Sequence, residues 1–438
     1  MKFVNGVFNM KKALQSIVLL GAATGVAQAA TSVTLYGLVD GGIGYTKTKV
    51  TQEATRFQGE SWAEVRNSGM VNGLLNGNRW GLKGTEDLGN GTSAIFQLES
   101  GFDLGSGHAS QGGRLFGRKA IIGLTGDSWG TLTLGRQYNV ADDVVSGIDP
   151  FGTGVGQAGV TSGAFGDSPS ARMDNSIKYM TPDFGGFKFG VAYAGKHSKK
   201  STFDAADPRG HAVENTSNKD TSNWVSLGLG FENGPVSLGA SYDRFRTELR
   251  DWEQRRVNGR IVGEKETYNK STTHMWNLFG AYDFEAVKLH LGYGQIRGAL
   301  SNAEGVSGIG LNGALAEFTE VTIPGTLGQP AVVQNYTQTK GFRQQSWMAG
   351  LSGRVSDTGT ILFSYQGNRS KNTNDAFDGM RGRLNIFSLG YVQDLSKRTR
   401  VYAAASYGVG KMKFDESRDR GNVTLKSTLV GVGLQHRF

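Results

Sequence analysis

The chain has 438 residues, no cysteine, 66 glycines, 7 prolines and a formal net charge of +9. Glycine at about 15% is roughly twice the average usage and follows no three-residue period, which excludes collagen. Ten per cent aromatics and few prolines argue against a disordered chain, and zero cysteine excludes disulfides, thiol catalysis, Fe–S clusters and thiolate zinc sites.

In chain order, Met10-Lys11-Lys12 is a short basic start, 13–26 is mostly apolar, and Ala27-Gln28-Ala29 offers a small-x-small cleavage site. That three-part order predicts a secretory signal over 1–29, with Met10 as the true start and a barrel over 30–438. Losing Lys2, Lys11 and Lys12 with no acid takes the charge from +9 to +6. No later run of about 20 apolar residues is present, so no helix is expected to span a bilayer.

Downstream, apolar and small or polar residues alternate in segments of about ten. Phe187, Phe189, Val191 and Tyr193 form one apolar face; Val225, Leu227, Leu229 and Phe231 the next. Trp276 to Phe284, Trp347 to Val355, Phe387 to Tyr391 and Val430 to Phe438 repeat it. Period 2 marks strands. A soluble sandwich would divide so many strands into domains with linkers, and none is visible. A membrane barrel, apolar outside and polar inside, accounts for both the alternation and the low hydropathy. Tyr36, Tyr45, Tyr138, Tyr193 and Tyr407 lie near strand ends, where tyrosines favour the headgroup level.

Short turns at Asp87–Gly91, Gly126–Gly130, Thr181–Gly186, Glu232–Pro235, Asp283–Val287, Ser356–Gly359 and Asp394–Thr399 alternate with long connections. The long ones are expected near 45–68, 103–113, 139–170, 197–222, 247–272, 298–342, 369–382 and 412–422. Eight long loops predict an all-β, 16-stranded antiparallel transmembrane barrel with short periplasmic turns and long extracellular loops.

The parity of alternation assigns faces. Arg79, Lys83 and Thr85 point inward, with Trp80 and Leu82 outward. Arg172, Asp174, Ser176 and Lys178 are expected inside, and Met173, Asn175, Ile177 and Tyr179 outside. Arg114 and Arg118 share a face, taken as inner because an arginine on the lipid side costs about 2–4 kcal/mol at mid-membrane. Arg136 shares parity with Leu132 and Leu134 and is not assigned to the lumen.

Several segments, in this order, resemble the trimeric porins of Gram-negative bacteria, in the beta-proteobacterial branch that includes neisserial and burkholderial general porins. They are Ser32-Val33-Thr34-Leu35-Tyr36-Gly37, the run Arg79 to Gly89, Ala94 to Phe102, Leu115 to Ala120, Gly130 to Gln137, Arg172 to Tyr179 and Val432 to Phe438. The likeness is dense before residue 195 and at the C-terminus; the loops at 247–272 and 298–342 are long for the family. The resemblance implies a homotrimer in the outer membrane, touching lipid and lipopolysaccharide, and passive diffusion of ions and small solutes. It also implies an infolded third loop, here 139–170 with Asp142, Asp143, Asp149 and Asp167, opposing Arg79, Lys83, Arg114, Arg118, Arg172 and Lys178 at a constriction. Terminal Phe438 looks like the signal read by the barrel-assembly machinery. Wall arginines and positive charge lead to the expectation of anion preference. The alternatives are a channel selective for small carboxylates, a barrel enzyme, or an adhesin role for the loops.

Other patterns are set aside. Gly154-Val155-Gly156-Gln157-Ala158-Gly159 fits G-x-G-x-x-G but has no following helical period. Gly126-Asp127-Ser128-Trp129-Gly130 fits G-x-S-x-G but runs straight into a strand. Six scattered histidines show no metal-ligand spacing. Arg250, Arg255, Arg256 and Arg260 around Trp252 form a basic cluster better suited to lipopolysaccharide phosphates or water than to nucleic acid. No cofactor, metal, nucleic acid or chemical step is expected.

Overall fold

The structure, a computed structural model, describes residues 32–205, 213–257, 260–299, 320–323, 332–414 and 421–438. The expected signal, 1–29, lies outside the described residues, as does most of the connection 298–342.

The first strands are β1 (Ser32–Gln52), β2 (Ser61–Asn72), β3 (Arg79–Gly89), β4 (Thr92–Gly101), β5 (Lys119–Gly126) and β6 (Gly130–Tyr138). After a long loop come β7 (Arg172–Met180), β8 (Phe187–Ala205), β9 (Val213–Asn233), β10 (Val236–Val257), β11 (Arg260–Asp283) and β12 (Val287–Gly298). A small separate hairpin, β13 (Glu320–Ile323) with β14 (Val332–Asn335), precedes β15 (Phe342–Arg354), β16 (Gly359–Asn372), β17 (Arg381–Asp394), β18 (Thr399–Lys413) and β19 (Val423–Arg437).

Among the described residues, seventeen strands form one antiparallel sheet that closes where β1 pairs with β19. β2 pairs with the upper part of β1 and β3 with its lower part, so they are two halves of one stave. The result is a closed 16-stave barrel, as the loop count predicts. Closure leaves no sheet edge in the hydrocarbon layer, where an unpaired backbone group would have no water to bond. Outward residues are the expected apolar ones: Phe187, Phe189, Val191 and Tyr193 are 37–50% exposed.

Three expectations need correction. The connections 45–68, 197–222 and 247–272 are chiefly strand: β1 and β2 stay in register out to Gln52 and Ser61, β8 and β9 out to Ala205 and Val213, and β10 and β11 out to Val257 and Arg260. Beyond the membrane both faces of a hairpin meet water, so a stretch such as Ser198 to Thr202 shows no period 2. The face assignment of β7 fails at its start. Asn175 has φ of 51°, and the β6–β7 register slips between Gly135 and Gln137. This bulge turns Met173, expected outside, into a fully buried residue, while Ile177 stays outward. Thirdly, Tyr36 and Tyr138 point inward and bond lumen charges instead of standing at the headgroup level.

The third loop, between β6 and β7, runs along the inner wall. Its base is closed by Asn139 N–H to the Ala171 carbonyl (2.8 Å) and Ala171 N–H to Asn139 Oδ1 (3.1 Å). A short helix, Val140–Val144, sets Val140 over Gly190 of β8 and Gly228 of β9, and Val144 over Gly239 of β10. The Ile148 carbonyl then meets His290 Nδ1 of β12 (2.6 Å), Pro150 meets Gly350 of β15 and Phe151 meets Gly390 of β17. At β19 the loop turns back. The Ala164 carbonyl accepts from Gln344 Nε2 (3.1 Å), Ser346 Oγ (2.8 Å) and Asn368 Nδ2 (2.9 Å), and Phe165 packs on Phe279 of β11. Glycines on the wall admit the loop backbone; polar wall side chains satisfy it.

Gly239 is the tightest case, because a Cβ there would lie 2.0 Å from the Val144 carbonyl oxygen. Gly239→Ala is therefore expected to push the loop toward the lumen at a cost of about 1–3 kcal/mol. Single-channel conductance in a planar bilayer should fall while the barrel keeps its resistance to unfolding in cold detergent; unchanged conductance would contradict this placement.

Candidate functional site

The third loop covers the inner wall from β8 round to β19 and leaves the arc from β3 to β7 open to water. That arc carries the charge. Arg79, Gly81 and Lys83 of β3 stand opposite the inward residues of β1, and Gln97 and Glu99 of β4 and Lys119 of β5 continue the same face.

Glu99 is its buried acid. Arg118 Nε donates to Glu99 Oε1 at 2.7 Å, and Tyr36 OH donates to Oε2 at 2.9 Å. Gln97 Nε2 donates to Tyr36 OH at 2.6 Å, and Lys83 Nζ lies 5.6 Å from the Tyr36 ring. Tyr138 is the second node. Its hydroxyl accepts from Arg118 Nη2 at 3.3 Å and from Arg172 Nη2, whose guanidinium also stacks on the ring at 4.4 Å. Arg79 donates to the Gly77 carbonyl (2.9 Å) and lies close enough to Arg118 and Arg172 to be repelled by both. Lys119 and Lys178 repel each other in the same way. Glu99 and the Tyr138 hydroxyl thus hold Arg118 and Arg172 together, and Arg79, tied to the Gly77 carbonyl, stands beside them.

The sequence-predicted residues divide. Arg79, Arg118 and Arg172 come together, Lys83 lies beside them, and Lys178 pairs with loop residue Asp143 at 2.7 Å. Arg114 does not join them: it bonds Asp174 Oδ2 at 2.7 Å, and Arg136 bonds the other oxygen of that carboxylate. The bulge at Asn175 brings Asp174 to both arginines, which parity counting does not foresee.

The loop acids also divide. Asp142, in the first turn of the short helix, accepts from Ser170 Oγ and lies near Arg118 and Arg172; burial raises its carboxyl above the ordinary value. Asp149 is a correction. It is 4% exposed and accepts from the N–H groups of Phe151 (3.1 Å), Thr153 (2.9 Å) and Val160 (2.9 Å). It builds the loop and does not face the arginines; the run Asp149-Pro150-Phe151-Gly152 could have signalled such a turn. Asp167 is half-buried near the return end, its carbonyl accepting from Ser170 N–H at 3.1 Å. Residues missed by sequence reasoning are Tyr36, Glu99, Lys119 and Tyr138. Glu99 and Lys119 alternate with apolar neighbours, a signal that was present.

Phe438 closes the chain against β1: its N–H donates to the Gly37 carbonyl (3.1 Å) and its carbonyl accepts from Gly37 N–H (3.0 Å). The set-aside motifs are a tight turn of the third loop at Gly156–Ala158 and the β5–β6 turn at Gly126–Gly130. Among the described residues no His, Asp and Glu side chains cluster as metal ligands. The side chains of Arg255, Arg256 and Arg260 lie outside the described residues.

A family profile described as Gram-negative porin matches residues 16–411. An outer membrane porin of Bordetella pertussis is 38% identical over 98% of this chain and 100% of its own length. Among solved structures, an anion-selective porin from Comamonas acidovorans superposes with a TM-score of 0.56 at 22% identity, over 93% of this chain and 100% of that one. The outer membrane protein OmpT of Vibrio cholerae, in a trimer form, gives a TM-score of 0.51 at 14% identity, over 93% and 100%. At these identities the two structures bear on the fold alone.

Burial pushes the Asp149 carboxyl from 3.8 up to about 6, against the pull of its three N–H donors. The folded loop therefore holds a proton that the unfolded segment releases between those values. Its anchoring is greatest below about pH 4 and is lost as pH rises through about 6. Hydrogen exchange of 149–160, corrected for intrinsic rate, should show more protection at pH 5 than at pH 7.5, and Asp149→Asn should flatten that difference.

Proposed function

We propose, from the premise that this chain belongs to the Gram-negative porin family, a channel that prefers anions. The chain is an outer-membrane porin, a transmembrane β-barrel with passive diffusion of ions and small hydrophilic solutes as its function. The anion preference rests on one observation. The open arc of the lumen carries Arg79, Arg118, Arg172, Lys83, Lys119 and Lys178, and among the described residues only Glu99 and Asp143 form ion pairs with members of this set. The guanidinium groups keep their charge at any working pH. Fixed by Glu99, Tyr138 and the Gly77 carbonyl, they give a passing anion donors that need no rearrangement, while Asp142 and Asp143 at the loop base supply the opposing sign.

Further parts of the reading are supported by pattern. The basic, apolar and small-residue order of 1–29 favours a cleaved signal. The trimer form of a structural neighbour and the family's habit favour a homotrimer. A terminal Phe438 ending an amphipathic strand supports reading it as a signal for the barrel-assembly machinery. No chemical step is proposed, and a carboxylate-selective channel is the nearest alternative, which saturation of conductance by a small dicarboxylate would reveal.

Zero-current potential across a KCl gradient tests the assignment. Arg79→Ser and Arg172→Ser should each reduce the anion-signed potential, and Glu99→Gln should raise it. A cation-signed potential in the unaltered protein, or no response to both arginine replacements, would overturn the anion reading.

A further inference from the structure

The outer face of the barrel carries a second set of cations that transport does not use. On β12 and β15–β18, at the end away from the short turns, five outward residues stand in cross-strand register: Arg297, Arg343, Lys371, Arg381 and Lys413. One step of the pleat below, in the same register, Arg369, Arg383 and Lys411 form a second row beside Gln345 and Gln295. All eight cations are exposed. They line one shallow depression, with no acid among its lining residues.

Like charges directly opposite on neighbouring strands are destabilising. Some cations elsewhere on the outer surface find an acid: Lys47 and Arg66 share Glu64, and Arg246 meets Glu248. Among the described residues, none of the eight forms an ion pair. A sheet that places five and then three like charges side by side is short of a counter-charge.

Height identifies its source. Four residues further toward the short turns, Tyr365, Phe387 and Tyr407 follow one another in register on the same face, with Tyr293 against Trp347 beside them. Arg369 lies 5.8 Å from the Trp347 ring. An outward aromatic band marks the boundary of the hydrocarbon layer. The two cation rows therefore stand about 13 and 20 Å beyond that row along the strands, or about 10 and 15 Å in height for strands tilted by about 35–45°, at the level of the outer-leaflet headgroups.

We propose that this strip binds a multiply phosphorylated glycolipid of the outer leaflet, its phosphates lying between the two rows and its acyl chains descending over the aromatic band. The inference rests on the outer-membrane porin reading. It names one site for the lipid contact that the family resemblance implies.

The test is native mass spectrometry of the full detergent-solubilised protein, titrated separately with bisphosphorylated lipid A, with the same glycolipid dephosphorylated, and with inorganic phosphate. The unaltered protein should retain the bisphosphorylated lipid and neither of the other two. The combined variant Arg369→Ser, Arg381→Ser and Arg383→Ser should bind it about 10-fold or more weakly, whereas Arg66→Ser should not change it. Equal retention of the dephosphorylated lipid, or equal affinity in the triple variant, would overturn the proposal; so would no retention at all, as expected if another copy of the chain covers the strip. If the triple variant does not fold, Arg383→Gln alone carries the comparison. Bilayer conductance separates the two readings: the triple variant should conduct as the unaltered protein does, and failure of both to conduct would count against the channel and not against the lipid site.

Discussion

A loop of apolar residues cannot lie in a water-filled barrel unless the wall takes it up, and this requirement shapes most of the interior. Val140, Val144, Ile148, Phe151 and Phe165 are buried only because the loop lies flat on β8–β19. Flat contact needs wall positions without side chains, which Gly228, Gly239, Gly350 and Gly390 supply. It also needs partners for the loop backbone, which Ser226, Gln344, Ser346, Gln366 and Asn368 supply. The high glycine content of the inner face is thus a property of loop seating as well as of water space.

Seating the loop on one side decides what the other side must do. The uncovered arc is short, and it concentrates six cations where water passes. Three guanidinium groups within mutual repulsion would spread apart in solvent. Glu99 and the Tyr138 hydroxyl hold Arg118 and Arg172, the Gly77 carbonyl holds Arg79, and burial of Glu99 beneath Arg118 and Tyr36 keeps that carboxylate from acting as a free acid in the path. A buried pair of this kind contributes little net stability, but breaking it by removing one partner is costly. Its effect here is geometric: it fixes cations against a wall that would otherwise repel them.

Much of this was legible in the sequence, and the failures share a cause. Alternation identified the barrel, the stave count and the outward faces because lipid imposes a strict choice on every second residue. It puts Arg79, Lys83 and Lys178 on the inner face, where Lys83 lies beside the Tyr36 ring and Lys178 meets Asp143 of the loop. It failed where no solvent contrast exists, as in the water-washed ends of β8–β11, and where parity slips, as at Asn175. A non-glycine residue at positive φ is not marked by composition, so the exchange of Met173 and the capture of Asp174 by Arg114 and Arg136 could not be read. Asp149 was misplaced for a different reason. Charge suggests the pore, but three backbone donors within reach make an acid a better turn-former than a pore lining.

The same parity rule that sorts apolar from polar also sorts cations from one another. Lys83 and Lys178 are inside and Arg383 and Lys411 outside because of a one-residue difference in phase along their strands. A slip of one residue would exchange the faces of a whole stave. The barrel must therefore fix its register at the seam, where the first and last strands meet without a turn to align them. Asp40 is placed for this. Fully buried on β1, it accepts from Gln435 Nε2 of β19 (2.9 Å), Tyr402 OH of β18 (2.6 Å) and Asn76 N–H between β2 and β3 (2.9 Å). Leu74, two residues before Asn76, accepts from Val155 N–H at the far turn of the third loop (2.6 Å). One carboxylate thus ties the seam that sets the outer charge pattern to the segment that anchors the loop, so that the barrel's register and the loop's far turn rest on neighbouring hydrogen bonds.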